Sequence, residues 1–103
     1  MNILLVDDHF MAVEFYHNFL SEYFVTENSI TVSKALNCEQ AFNAIIDSNT
    51  VHPIDWAFLD YSLPAFDDQN LYSGSDVAQL VRKYHPNCKI VMITGHTGQA
   101  IQN

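Results

Sequence analysis

Three short runs of apolar, strand-forming residues constrain this chain more than anything else in it, because each stops at residues that can do chemistry. Ile3–Val6 runs into Asp7 and Asp8, Trp56–Leu59 runs into Asp60, and Ile90–Ile93 runs into Thr94 and Gly95. An uninterrupted apolar run of this length is the pattern of a strand buried on both faces, as in a parallel sheet covered by helices. A fourth segment, Ile30–Ala35, is diluted by Thr31, Ser33 and Lys34 and reads as a strand at a sheet edge.

Between these runs the periodicity is helical. Across residues 9–24, Ala12, Phe15, Tyr16, Phe19, Leu20 and Tyr23 recur three and four apart and mark the face expected to turn inward, with Phe10, Val13 and Phe24 widening it. Asn37 followed by Gln40 resembles a capping box ahead of Ala41, Phe42, Ile45 and Ile46, and Asn49–Pro53 breaks that helix. Ser75 reads as the cap of a third helix with Val77, Leu80, Val81 and Tyr84 inward, stopped by His85-Pro86-Asn87. Tyr61–Ser73 has no clean period and reads as a loop, while a further helix has room to begin near Thr97 before Asn103. The order β-α-β-α-β-α-β predicts one α/β domain over residues 1–103, with a parallel sheet, right-handed crossovers and helices on both faces.

Charge narrows the function. The chain carries 4 Lys and Arg against 12 Asp and Glu, a formal net charge of −8. Such a surface repels nucleic-acid phosphates and anionic membranes, so neither is an expected partner, whereas a divalent cation or a basic protein surface is attracted. No apolar run approaches the ~20 residues of a membrane helix, and no signal-peptide pattern opens the sequence, so a cytoplasmic protein is expected. Cys38 and Cys88 form no C-x-x-C pair and read as two half-buried thiols. The five histidines show no metal-ligand spacing and are given no site. Aromatic residues on the helices are expected in the core, while Tyr61 and Tyr72, in the loop, are the expected exposed contacts.

In open α/β sheets ligands bind beyond the carboxyl ends of the strands, where strand order reverses. Asp7, Asp8, Asp60 and Thr94 all stand at such ends. If the strands preceding Asp7 and Asp60 are neighbours, three carboxylates crowd one pocket and raise one another's pKa unless a cation neutralises them. Carboxylate oxygens supplemented by water suit Mg²⁺, and a carboxylate held there can act as a nucleophile towards phosphorus.

These residues carry a resemblance. Leu4-Leu5-Val6-Asp7-Asp8 resembles the first-strand acidic pair of response-regulator receiver domains, the phosphoacceptor switches of two-component signalling. Phe58-Leu59-Asp60 followed by Pro64 resembles their phosphoacceptor motif, and Ile93-Thr94-Gly95-His96 the end of their fourth strand. The resemblance implies a flavodoxin-like, doubly wound parallel sheet of order 2-1-3-4. It implies phosphorylation on Asp60, with Mg²⁺ held by Asp7, Asp8, Asp60 and the backbone carbonyl of Ser62. It makes Thr94 the phosphoryl-binding hydroxyl with Gly95 leaving room beside it, and gives Ser62 and His96 the positions that tune phosphoryl lifetime. The implied partner is a histidine kinase or histidine phosphotransfer protein, and the domain is a signalling switch, not a dedicated enzyme.

Two departures stand out. Residues 65–73 intervene between Pro64 and Gly74, where the family usually opens its third helix sooner, and Asp67 and Asp68 add charge there. The lysine that receivers carry on a fifth strand has no counterpart among Lys34, Lys83 and Lys89, and the fifth strand and helix are themselves missing, so the expected fold is a receiver truncated at the C-terminus. The fourth strand's edge and the first helix are then expected to be bare, which favours a homodimer through either. A phosphorylation-independent, receiver-like binding module is therefore the competing reading. An aspartyl-nucleophile phosphohydrolase fits less well, because Ser62 stands where a second acid is wanted.

Overall fold

A computed structural model describes residues 1–23, 30–48 and 53–93. Its elements are β1 (Asn2–Val6), α1 (Phe10–Tyr23), β2 (Thr31–Ala35), α2 (Cys38–Asp47), β3 (Trp56–Asp60), α3 (Gly74–Tyr84) and β4 (Lys89–Ile93), with one 3₁₀ turn at Asp67–Gln69. Among the described residues the sheet has four strands, all parallel, in the order β2-β1-β3-β4. This is the flavodoxin-like receiver arrangement expected from the sequence, with the diluted strand β2 at one edge. The start of a helix near Thr97 lies outside the described residues.

Alternation along the strands divides the core in two. Leu4, Val6, Ala57 and Leu59 face α2 and α3 and pack with Ala41, Ile45, Val77 and Val81, all buried. Ile3, Leu5, Trp56 and Phe58 point the other way, where Val13, Tyr16 and Leu20 of α1 pack on them. The inward face of α1 therefore differs from the expected one. Val13 and Leu20 are its buried residues, and Phe15, Phe19 and Tyr23 are exposed. A three-four period selects a stripe but not its centre, and a helix this rich in aromatics offers two stripes.

The helix ends follow local chemistry. Asn37 caps α2, its side-chain oxygen accepting from the Gln40 N–H at 2.8 Å, while the Gln40 side chain accepts from the Leu36 N–H instead of the cap's own. The N-cap of α3 is Ser73, not Ser75, and it makes no side-chain capping bond. Within the 61–73 loop, Phe66 and Leu71 pair in an antiparallel bridge, Asn70 takes the left-handed conformation between them, and Leu71 is buried. The sequence signal there is weak because the ordering comes from Phe66 against Phe42 and from Leu71 in the core, not from a period.

His85 closes the amino-terminal side of the sheet. It is buried, accepts from the Ile54 N–H through Nδ1 at 3.1 Å, and its Nε2 lies 3.0 Å from the Ile45 carbonyl. That pairing requires the proton on Nε2, which donates to the carbonyl. Cys38 and Cys88 are fully buried rather than half-buried, and burial pushes the Cys88 thiol up to about 11.

Candidate functional site

The acids meet because β1 and β3 are neighbours in register. Val6 stands opposite Leu59, so Asp7, one step beyond, arrives level with Asp60. Asp7 is held by its backbone N–H, which donates to the Ala35 carbonyl at 3.0 Å and extends the β1–β2 ladder by one rung. Its carboxylate accepts from the His9 N–H at 2.9 Å and so ties the strand end to the entry of α1. Asp60 is the floor of the site at 1% exposure, Asp7 is buried beside it, and Asp8 stands at the exposed rim.

One ligand atom each from Asp7, Asp8, His9 and Asp60 lies within 4.8 Å of the others. Three carboxylates, two of them buried, form an oxygen-rich donor set that fits a hard divalent cation by its chemistry. Histidine spacing gives His9 no site, and the structure places its ring beside the acids. Its Nδ1 is 3.1 Å from Asp7 Oδ1 and 3.0 Å from Asp8 Oδ1. Histidine spacing rules look for pairs on one helix, whereas this ring reaches the acids because it follows them directly at a strand end. The hydrogen bond with Asp7 and the charges of Asp8 and Asp60 raise the His9 imidazole above its ordinary range.

The floor is shaped from behind by Gly74. Its N–H donates to the Tyr61 carbonyl at 2.9 Å, and a β-carbon there would overlap the Asp60 carbonyl oxygen and lie 2.8 Å from its carbon. The long loop therefore returns to put glycine against the backbone of Asp60, where no side chain has room. Ser62 sits beside Asp60, its N–H donating to Asp60 Oδ1 at 3.4 Å. Ile93, the last described residue of β4, pairs with Asp60, and Thr94, Gly95 and His96 lie outside the described residues.

The chain's basic side chains are engaged elsewhere. Lys34 pairs with Glu14 at 2.8 Å, Lys83 lies over Tyr84, and Lys89 lies over Trp56 at the opposite end of β3 from Asp60. Arg82 donates to the carbonyls of Pro86 and Cys88.

The model of the response regulator receiver domain matches residues 3–102. The chain belongs to the response regulator receiver domain family, a signalling family of two-component systems, and carries an acidic pocket of Asp7, Asp8 and Asp60. Among solved structures it is similar to a response regulator protein from Burkholderia pseudomallei, crystallised with a phosphorylated aspartic acid, calcium ion and citrate. The two share 19% identity and superpose with a TM-score of 0.61 over 93% of this chain and 48% of that one, so this chain spans about half that structure's length. At that identity the likeness is one of fold. No curated protein matches the chain.

Proposed function

We propose that this chain is the phosphoacceptor switch of a two-component phosphorelay and takes its phosphoryl group on Asp60. The observation that carries the reading is the convergence of Asp7, Asp8 and Asp60 on one pocket, with Asp60 on its buried floor. Asp7, Asp8 and Asp60, with the Ser62 backbone carbonyl, would hold Mg²⁺. Bound there, the cation supplies positive charge to offset the carboxylates and the incoming phosphoryl oxygens. An Asp60 carboxylate oxygen forms the new bond to phosphorus as the bond to the donor's leaving nitrogen breaks, and that nitrogen departs with its electron pair. The added charge of about −1.5 to −2 then falls beside Asp7 and Asp8 and biases the surrounding loops. Thr94 is assigned the phosphoryl-binding hydroxyl, Gly95 the small neighbour, and Ser62 and His96 the tuning positions on the sequence resemblance alone.

The donor would be a histidine kinase or a histidine phosphotransfer protein, and the setting the cytoplasm. No described helix is long and apolar enough to cross a membrane. The test is intact-protein mass after incubation with acetyl phosphate and Mg²⁺. A gain of one phosphoryl group in the wild type and none in Asp60→Asn is expected, and no gain in either overturns the reading.

One observation supports a second, compatible reading, a homodimer. Phe15, Phe19 and Tyr23 of α1 are 65%, 56% and 70% exposed, and Phe19, Leu20, Tyr23, Trp56 and Phe58 line a groove of about 420 Å³. Among the described residues no strand pairs with the outer edge of β4. Sedimentation equilibrium would return twice the chain mass of 11.7 kDa for a dimer.

A further inference from the structure

We propose that His9 supplies a nitrogen ligand to the cation held by Asp7, Asp8 and Asp60, so that the site prefers a first-row transition-metal dication to Mg²⁺. The inference rests on the reading that those carboxylates form the cation site.

The geometry supports it in three ways. His9 Nδ1 lies 3.1 Å and 3.0 Å from one oxygen each of Asp7 and Asp8. Neighbouring donors around an octahedral ion at about 2.0–2.1 Å are themselves about 3 Å apart, so this nitrogen, which is hydrogen-bonded to Asp7, stands where an adjacent ligand would stand once the ion displaces its proton to solvent. The backbone that carries the ring is also anchored. The His9 N–H is bonded to Asp7 and its carbonyl accepts from the Val13 N–H at 3.1 Å, the first bond of α1, so the residue is fixed at both sides of its peptide. Finally, the four donors divide by depth. Asp60 and Asp7 are buried, whereas the His9 side chain is 56% exposed at the rim, open to an ion arriving from solvent.

The consequence is chemical selectivity. An all-oxygen site suits Mg²⁺, but one imidazole nitrogen raises affinity for Mn²⁺, Co²⁺ and the later dications along the Irving–Williams order. With His9 in place, the Mn²⁺-to-Mg²⁺ affinity ratio is therefore set by residue 9 as well as by the acids.

The experiment uses the tag-free chain with Mn²⁺ and Mg²⁺ as separate probes. Titration calorimetry gives each affinity for wild type, His9→Gln and Asp60→Asn, and electron spin-echo modulation of the Mn²⁺-loaded protein reports any directly bound ¹⁴N. The wild type is expected to show nitrogen modulation that His9→Gln lacks. His9→Gln is also expected to lower the Mn²⁺-to-Mg²⁺ ratio by roughly tenfold while leaving Mg²⁺ binding nearly unchanged. If Mn²⁺ binds, is weakened by Asp60→Asn, and shows no nitrogen modulation, the histidine assignment falls and the acidic site stands. If neither ion binds, or Asp60→Asn binds as the wild type does, both fall together. The wild-type spectrum decides the nitrogen question even if His9→Gln proves unfolded.

Discussion

The two faces of the sheet are built from the same strands and finished differently. On one face α2 and α3 bury Leu4, Val6, Ala57 and Leu59 under a continuous layer of aliphatic side chains. On the other, among the described residues, α1 alone covers Ile3, Leu5, Trp56 and Phe58, and it turns Phe15, Phe19 and Tyr23 outward. Adjacent residues such as Phe58 and Leu59 thus enter unlike environments, because a strand sends successive side chains to opposite faces. The difference teaches that strand residues of equal apolar character need not receive equal cover. The closed face is sealed by two helices, and among the described residues the other leaves Trp56 and Phe58 partly exposed.

The most severe break in that contrast is expected from Leu59→Ala. It removes a fully buried side chain from the closed face and should cost about 2–5 kcal/mol in urea unfolding. His85→Ala comes next. It leaves the Ile54 N–H and the Ile45 carbonyl buried without their partner, at about 2–4 kcal/mol by the same measurement. Gly74→Ala tests whether the closed face also shapes the site. Its methyl group would push on the Asp60 carbonyl, costing about 1–3 kcal/mol and reducing phosphoryl uptake in the mass assay.

Phe19→Ser sharpens the other side of the comparison. It should change monomer stability by no more than about 0.5 kcal/mol, yet lower the dimer fraction in sedimentation. A cost as large as that of Leu59→Ala would mean that the open face is covered in the folded protein. The smallest effect is expected at His9. Its imidazole is raised by its acidic neighbours, so their attraction contributes stability below the unfolded value of 6.5 and loses it as pH rises through the higher folded value. In metal-free buffer, His9→Ala should therefore melt earlier than wild type in mild acid and alongside it in alkali.

Much of the architecture was legible because continuous apolar runs have few uses. Ile3–Val6, Trp56–Leu59 and Ile90–Ile93 each became a strand, and the acids that close the first two pointed to one end of the sheet. The face of α1 was misassigned because its aromatics satisfy two helical stripes and only packing chooses between them. Ser73, not Ser75, precedes α3, and Gly74 beside it packs on the Asp60 backbone, a contact distant in sequence. His9 escaped notice because a ring's reach towards carboxylates depends on how the strand end turns into the helix.

The sequence by itself determined the alternating α/β order, the edge character of β2 and the presence of acids at strand ends, since these follow from period and composition along the chain. Only the tertiary structure decided that Asp7 and Asp60 stand level, that His9 joins them, and that one face of the sheet is closed while the other presents aromatics. Those outcomes depend on strand register and on the direction of side chains packed across the sheet, and distance along a chain does not specify either.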